Sequence, residues 1–307
     1  MHIPDSFLSV PVAGAAGVAS LVALAIALER LRNNLGKRYA PLLGLTTAFI
    51  FAAQMINFPV FGGTSGHLLG GTLAAIILGS PWAGMLSIAT VLIIQAVLFA
   101  DGGITALGAN ILNMAVIGVW VGWLLAQTLH KLFGGSQKSL PLAAGIAAGL
   151  SVFVAAITCA IQLAISGTAP AKLVLPAMAG IHILIGVGEG SITGGIIAYL
   201  INVRPDLLPG KQQVFRGWLT PIVSIFVIAG ILSLFVSAWP DGLEKVSEDL
   251  GFINLADTAK IIIPTPLADY GIKGLGNIGT SITGLIGSTF CFIVAFGLAK
   301  MVKPKNA

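Results

Sequence analysis

The feature that most constrains this chain is a succession of long apolar runs separated by short polar segments. A membrane-spanning helix needs about 20 predominantly apolar residues, and most of these runs reach that length. Charged residues make up only 9% of the sequence, whereas soluble proteins carry about a quarter. We therefore expect an all-α, polytopic protein embedded in the lipid bilayer. The runs cover roughly 9–29, 41–56, 82–100, 104–128, 140–166, 173–201, 218–238 and 279–299, with a shorter one at 68–80.

The distribution of Lys and Arg predicts the orientation of the spans. Cytoplasmic segments of membrane proteins carry an excess of basic residues. About nine spans, with the N-terminus outside and the C-terminus in the cytoplasm, leave only four of the sixteen basic residues on the outer side. The net charge of +5 then reflects topology, and we expect no nucleic-acid partner. The four outer residues are Lys172, Lys245, Lys260 and Lys273.

A segment with two prolines and a glycine, 202–210, predicts a boundary inside the chain. We expect one membrane domain over 1–204, a cytoplasmic linker over 205–217 and a two-span part over 218–307. The outer loop of that second part, 239–278, is the one sizeable water-exposed segment that the pattern predicts. It carries the carboxylates Asp241, Glu244, Glu248, Asp249, Asp257 and Asp269.

The N-terminus itself offers metal-binding chemistry. No cleavable signal peptide is expected, because residues 1–8 lack a basic region and the first apolar run is long enough to remain as a helix. The bulky His2 should protect Met1 from removal, which leaves a free α-amine facing outward. An N-terminal X-His sequence can chelate a metal in fused five- and six-membered rings through the α-amine, the amide nitrogen of residue 2 and an imidazole nitrogen. One further imidazole would complete four nitrogens in a plane, which suits Ni²⁺ or Cu²⁺.

His67 is the natural fourth donor. It lies in the stretch 57–71, whose glycines and proline interrupt an apolar region. Irregular backbone at membrane depth survives only where it is packed in protein or lines a cavity, so His67 is expected at the edge of a buried site. His130 and His182 are alternative donors. A solvated His2 and a His67 that merely caps a helix remain the alternative interpretation.

Other polar and small residues in the apolar runs suggest supporting roles. Asn110 and Asn113, three residues apart, would share a helical face and either orient metal ligands or tie helices together. His182 and Glu189, seven apart, could form a proton-coupled pair or a structural contact. Ser65, close to His67, is a further candidate for a supporting or gating role. Small residues in the first span permit close helix packing, within the chain or with a partner subunit, and the two candidates are Ala13 and Gly17.

No enzyme signature is present in the sequence. It contains neither a phosphate-binding G-x-x-x-x-G-K-[ST] loop nor H-E-x-x-H nor G-x-S-x-G. We therefore expect neither ATP hydrolysis nor covalent catalysis by this chain. A membrane metalloenzyme would need an open metal position and a nearby general base. A proton-driven secondary metal transporter, with Glu189 as the proton carrier, stays open as an alternative.

Four stretches, taken together, resemble the substrate-capture membrane subunit of cobalt/nickel energy-coupling-factor transporters, the CbiM/NikM family. These stretches are 1–5, 57–71, 99–114 and 182–193. The sequence P-D-G-L-E at 240–244, supported by 266–270, resembles the small CbiN/NikN-type partner of that subunit. The resemblance therefore implies a natural fusion of the two. One departure is Ser6, which follows Asp5 where family members often have glycine.

The resemblance also implies a function. Met1, His2 and His67 would bind Ni²⁺ or Co²⁺ as the transported substrate, with no permanent cofactor. The partners would be a transmembrane coupling subunit of the CbiQ/NikQ type and two cytoplasmic ATPases of the CbiO/NikO type. The complex would lie in the inner membrane of a prokaryotic cell, and the CbiN-like part would assist metal loading from its outer segment.

Overall fold

The protein is described by a computed structural model over residues 1–32, 39–209, 217–258 and 265–301. Helices dominate these ranges, and the two strands described there are short, which confirms the all-α prediction. The helices are α1 Val10–Leu31, α2 Tyr39–Gln54, α3 Gly71–Leu78, α4 Pro81–Phe99, α5 Leu107–Asn110, α6 Val119–Leu132, α7 Leu140–Ile165, α8 Ala171–Val203, α9 Leu219–Gly230, α10 Gly242–Asp249, α11 Asn254–Asp257 and α12 Gly276–Met301. The strands β1 Phe58–Val60 and β2 Thr64–Gly66 pair as an antiparallel hairpin.

Six helices in the described part of the chain are long and apolar enough to cross a membrane, so the protein is a multi-pass membrane protein. They are Val10–Leu31, Pro81–Phe99, Leu107–Leu132, Leu140–Ile165, Ala171–Val203 and Gly276–Met301. Two shorter apolar helices, Tyr39–Gln54 and Leu219–Phe235, coincide with two more of the predicted runs. The linker residues 210–216 and the basic tail 302–307 lie outside the described residues.

The short run at 68–80 forms the helix α3 and does not span the membrane alone. Its eight residues rise about 12 Å, less than half of the hydrocarbon thickness of about 30 Å. Gly79, with φ of 64°, ends it, and the side chain of Ser80 caps α4, which begins at Pro81. The eight residues of α3 are all buried, and a Cβ on Gly84 of α4 would lie 3.1 Å from Ala75, so α3 packs back against α4 and the chain reverses direction at Gly79 and Ser80.

A π-helical segment, Ile111–Gly118, joins α5 to α6 in one continuous helix. Such segments are rare and are frequent at functional sites. Here the two predicted asparagines contact different partners. Asn110 hydrogen-bonds the N-terminal segment at Ile3, whereas Asn113 forms a reciprocal amide pair with Gln162 of α7 at 2.8 Å in both directions. Asn113 therefore ties helices together, and Asn110 holds the start of the chain.

The helices α7 and α8 pack backbone to backbone through small residues. A Cβ placed on Gly149 would lie 2.7 Å from the carbonyl oxygen of Gly186, so only glycine permits this approach. The same contact recurs one turn further along at Gly145 and Gly190. The close approach fixes the rotation of α8, which carries His182 and Glu189 toward the centre of the bundle.

The first nine residues fold back into the protein before α1 begins. Ile3 is fully buried, its amide donates to Oδ1 of Asn110 at 2.8 Å, and its carbonyl accepts from Nδ2 of the same side chain at 3.1 Å. Ser6 has φ of 70°, a left-handed conformation that favours the glycine of the related family. On α1, Gly17 packs against Gly108 within the chain, while Ala13 is half-buried. A partner-facing role for these two residues stays a prediction.

Candidate metal centre

The α-amine of Met1 lies at the centre of the candidate site. Met1 is only 6% exposed, and its amine is 3.1 Å from Nε2 of His67 and 2.7 Å from Oδ2 of Asp241. The N-terminal segment that Asn110 holds brings the amine to this position. The structure therefore juxtaposes two of the three predicted ligand residues, Met1 and His67.

His67 presents a nitrogen that is ready to bind a metal. Its Nδ1 is 3.1 Å from the carbonyl oxygen of Leu68, which can only accept a hydrogen bond. Nδ1 therefore carries the hydrogen, and in the neutral ring Nε2 directs a lone pair toward the Met1 amine. Burial, supported by the positive charge of that amine, lowers the pKa of His67 to about 3, so the ring is neutral at physiological pH.

His2 stacks on His67, with ring centroids 5.0 Å apart and an angle of 18° between the planes. Its Nδ1 is 3.0 Å from Oδ1 of Asp101, and its Nε2 is buried without a hydrogen-bond partner in the described structure. Nδ1 is the nitrogen that closes a six-membered chelate ring with the amide of the same residue. In this arrangement it contacts Asp101, so chelation through Nδ1 requires His2 to leave that carboxylate. The sequence alone did not indicate this contact.

Asp241 contributes a carboxylate that the sequence analysis had not placed at the site. It is the N-cap of α10: its Oδ1 accepts from the amides of Leu243 and Glu244 at 2.8 Å each, and Glu244 bonds back to the Asp241 amide. This capping box leaves Oδ2 for the Met1 amine. Single ligand atoms of Asp241, His2 and His67 lie within 4.8 Å of one another.

Two carboxylates thus hold the two ends of the predicted chelate. Burial alone would raise the pKa of Asp241, but the N-terminal ammonium and His67 hold that pKa well below its usual range. Burial would likewise raise the pKa of Asp101, whereas His2 and the hydroxyl of Tyr270, which donates at 2.5 Å, hold it low. Both carboxylates therefore carry negative charge beside nitrogens that a cation would bind.

We expect Asp241→Asn to destabilise the metal-free protein by about 2 kcal/mol, because it removes the charged partner of a largely buried ammonium. Pairing lowers the pKa of Asp241, so the stabilisation is present above the ordinary carboxyl pKa of about 3.9 and is lost as the pH falls below it. Thermal unfolding of the purified protein in detergent measures the effect. Asp249→Asn, at an exposed pair with Lys245, is the control, and an equal loss in both variants would contradict the prediction.

The hairpin before His67 fastens the C-terminal part over the site. The amide of Ser65 donates to the carbonyl of Pro240 at 2.8 Å, and its hydroxyl donates to the carbonyl of Trp239 at 2.7 Å. Thr64 adds a hydroxyl bond to Pro240 at 3.0 Å. Ser65, a predicted supporting residue, therefore acts by anchoring the segment that carries Asp241.

The remaining predicted residues have separate roles. Glu189 is fully buried, and its two oxygens accept from the amides of Leu69 and Gly70 at 2.6 and 3.0 Å, which anchors the start of α3. His130, an alternative fourth donor, lies in the last turn of α6 and is 3.0 Å from the hydroxyl of Ser139, which follows that helix. His130 is therefore not part of the cluster of Met1, His2, His67 and Asp241. His182 lines a small cavity next to Met1 and His67.

A large cavity of about 1340 Å³ lies beside the site, and residues of the N-terminal segment and of the C-terminal part both line it. His2 and His67 are among its lining residues. In the described part of the chain its lining contains no Lys or Arg, although the protein as a whole is basic. It contains six carboxylates, from Asp5, Asp101, Asp241, Glu244, Asp257 and Asp269. We call this cavity the acidic vestibule.

Comparison with known proteins identifies the family. Residues 2–207 match the family model for the cobalt uptake substrate-specific transmembrane region, CbiM, and residues 216–304 match the PDGLE domain. The chain belongs to the CbiM family. It is a CbiM/NikM-type protein fused to a CbiN/NikN-like part, as the sequence resemblance predicted, and its family consists of transport proteins rather than enzymes.

Relatives share the fused organisation. A candidate fused nickel transport protein NikMN of Archaeoglobus fulgidus is 36% identical over 308 residues, which cover 99% of each chain. The fused nickel transport protein NikMN of Rhodobacter capsulatus is 33% identical over 86% of this CbiM-family chain and 82% of its own. A crystal structure of a truncated transition-metal transporter superimposes with a TM-score of 0.60 at 33% identity, covering 66% of this chain and 99% of that one.

Proposed function

We propose that this protein captures Ni²⁺ or Co²⁺ outside the cell and releases it inside, as the substrate-binding component of an energy-coupling-factor transporter. The observation that carries the proposal is the convergence of the Met1 amine, His2 and His67 in one buried cluster. Four nitrogens around one ion favour nickel among the metals of this family, because planar coordination suits Ni²⁺. The metal is the substrate, and the protein needs no permanent cofactor.

The proposed capture step exchanges carboxylate contacts for metal bonds. The Met1 amine and the His2 amide each lose a proton to become ligands, so metal binding releases protons. His2 leaves Asp101 and supplies Nδ1, while His67 needs no deprotonation because burial keeps its ring neutral. Asp241 and Asp101 then lie beside a bound divalent cation, which attracts both carboxylates, in place of an ammonium and an imidazole.

The acidic vestibule supports access for a cation from the outer side. Clefts lined by one sign of charge raise the local concentration of the opposite ion. The cavity of about 1340 Å³ is large enough for a hydrated divalent ion, and His2 and His67 are among its lining residues. We propose that the CbiN-like part assists loading by forming one wall of this vestibule and by holding Asp241 at the amine.

The proposal includes the membrane arrangement and the partners. We propose about nine crossings, with α3 and the stretch before it counted as one of them, the N-terminus outside and the C-terminus in the cytoplasm of a prokaryotic cell, in the inner membrane. In this proposal a domain over 1–204 carries the ligands, 205–217 links it to the part over 218–307, and the described residues of the loop 239–278 cover the site. Transport then requires a CbiQ/NikQ-type coupling subunit and two CbiO/NikO-type ATPases, in keeping with the lack of a phosphate-binding loop in this sequence.

Uptake of radioactive nickel by cells tests this function. We expect this chain with its coupling subunit and ATPases to import nickel, and a phosphate-loop lysine substitution in the ATPases to reduce uptake to background. The chain without ATPases should bind nickel but not accumulate it. Uptake by the chain alone, insensitive to ATP depletion, would instead support the proton-driven transporter. The bonding of both Glu189 oxygens to backbone amides argues against that alternative, because Glu189 then serves as an anchor.

A further inference from the structure

A second, much smaller cavity adjoins the metal cluster. Its volume is about 10 Å³, which is close to the space that one water molecule needs. Met1 and His67 line it together with His182, Val152 and Ile185. It therefore provides room for one water or one bare cation between the predicted ligands and the helices α7 and α8.

His182 directs an unpaired nitrogen toward this space. The residue is only 1% exposed, and its Nδ1 is 2.8 Å from the carbonyl oxygen of Met178 on the preceding turn of α8. A carbonyl only accepts, so Nδ1 carries the hydrogen and the neutral ring keeps a lone pair on Nε2. Nε2 is buried and has no hydrogen-bond partner in the described structure. Metal-binding histidines are typically held in this way, by donation from their other nitrogen to a carbonyl.

The two cavities share part of their lining. His67 and Asp241 line both of them. Among the described residues, His182 lines the small cavity and not the acidic vestibule, whereas His2 lines the vestibule and not the small cavity. His67 and Asp241 thus border both the vestibule, which His2 lines, and the small cavity, which His182 lines.

Gly242, the first residue of α10, keeps this space open. A Cβ at that position would lie 2.9 Å from Cε1 and 3.0 Å from Nε2 of His182, and 2.7 Å from Cδ1 of Ile185. Any larger side chain would press on the imidazole ring. The glycine of the P-D-G-L-E sequence therefore lets the C-terminal part cover His182 without blocking its free nitrogen.

We propose that Nε2 of His182 is a further ligand for the transported cation, which it binds as the cation leaves Met1 and His67 on the way to release. This inference rests on the proposed function. Ligand exchange at a planar four-coordinate ion proceeds by attack of an additional donor from above or below the plane. His182 supplies that donor on the side away from the vestibule. Its loss slows transfer through the protein while the capture ligands remain in place.

The test compares His182→Asn and His182→Cys in the complete transporter. Asparagine keeps a donor for the Met178 carbonyl but lacks the second ring nitrogen, whereas cysteine supplies a different metal ligand. Val152→Ala, which enlarges the same cavity without removing a ligand, is the matched control. Nickel titration of each purified chain measures stoichiometry and affinity, and nickel uptake by cells, normalised to the amount of protein in the membrane, measures transport.

We expect His182→Asn to bind nickel with an affinity within about threefold of the parent and to lose at least tenfold of the uptake. His182→Cys should recover at least half of the lost uptake, and Val152→Ala should transport normally. Uptake by His182→Asn within twofold of the parent, loss of its nickel binding, or no recovery with cysteine would overturn the proposal. Failure of the proposed function itself is distinguishable, because the parent would then bind no nickel or His67→Ala would transport normally.

Discussion

Adding three residues before Met1 is expected to lower the affinity of the purified protein for Ni²⁺ at least about 1000-fold, which corresponds to about 4 kcal/mol. The addition converts the Met1 amine into an amide nitrogen, which has to lose a further proton before it can bind the metal, and moves the free α-amine out of chelating reach of His2. It also removes the ammonium that pairs with Asp241 at 2.7 Å. Because Met1 is only 6% exposed, the added residues have to displace packed side chains as well.

Equilibrium titration with nickel, followed by calorimetry or by metal analysis after desalting, measures this effect. The same three residues added after Ala307 are the control, since the C-terminal end is remote from the amine in sequence and carries none of the proposed ligands. The protein extended at its C-terminus should bind one nickel with unchanged affinity. Unchanged affinity in the protein extended at its N-terminus would exclude the α-amine as a ligand.

His67→Ala is expected to lower nickel affinity at least about 100-fold, or about 2.7 kcal/mol. The substitution removes the Nε2 that lies 3.1 Å from the Met1 amine and leaves an incomplete set of three nitrogens from the first two residues. The chelate alone still binds metal, so the expected loss is smaller than for the N-terminal extension. Uptake in cells at low nickel should fall in parallel.

His130→Ala is the matched control for this substitution, since it removes an imidazole that bonds Ser139 outside the cluster. It should leave affinity unchanged. Free imidazole added to His67→Ala should restore part of the affinity, because it can enter the space that the side chain vacates. Equal affinities for His67→Ala and the parent protein would remove His67 from the site and would leave His182 as the nearest candidate.

The helices were predictable because the bilayer imposes their length and composition. The run at 140–166 became Leu140–Ile165, and the run at 82–100 became Pro81–Phe99. The short run at 68–80 was ambiguous, since its composition resembles that of its neighbours. Its end depends on the backbone at Gly79, where a left-handed conformation stops the helix.

The candidate site could be predicted only where residues close together in the sequence indicated metal-binding chemistry. The amine, His2 and His67 followed from the N-terminal chelate and a lone imidazole in a glycine-rich stretch. The partner of the amine, Asp241, is 240 residues away in sequence and looked like one of several acidic residues in a polar loop. The sequence P-D-G-L-E is typical of a helix cap, so the bonds of Oδ1 could be predicted. The position of Oδ2 beside the amine depends on the hairpin contact between Ser65 and Pro240, which the sequence does not indicate. The contact of His2 with Asp101 could not be predicted from the sequence either.

The ion pair between the first residue and the C-terminal part has a consequence for how the protein is built as a single polypeptide. Covalent linkage makes the meeting of Asp241 with the amine an intramolecular event, at an effective concentration of the order of millimolar. Two separate polypeptides would have to find each other by diffusion in the membrane, and some N-terminal amines would remain without this partner. Fusion therefore supplies one copy of the segment that carries Asp241 for every N-terminal amine.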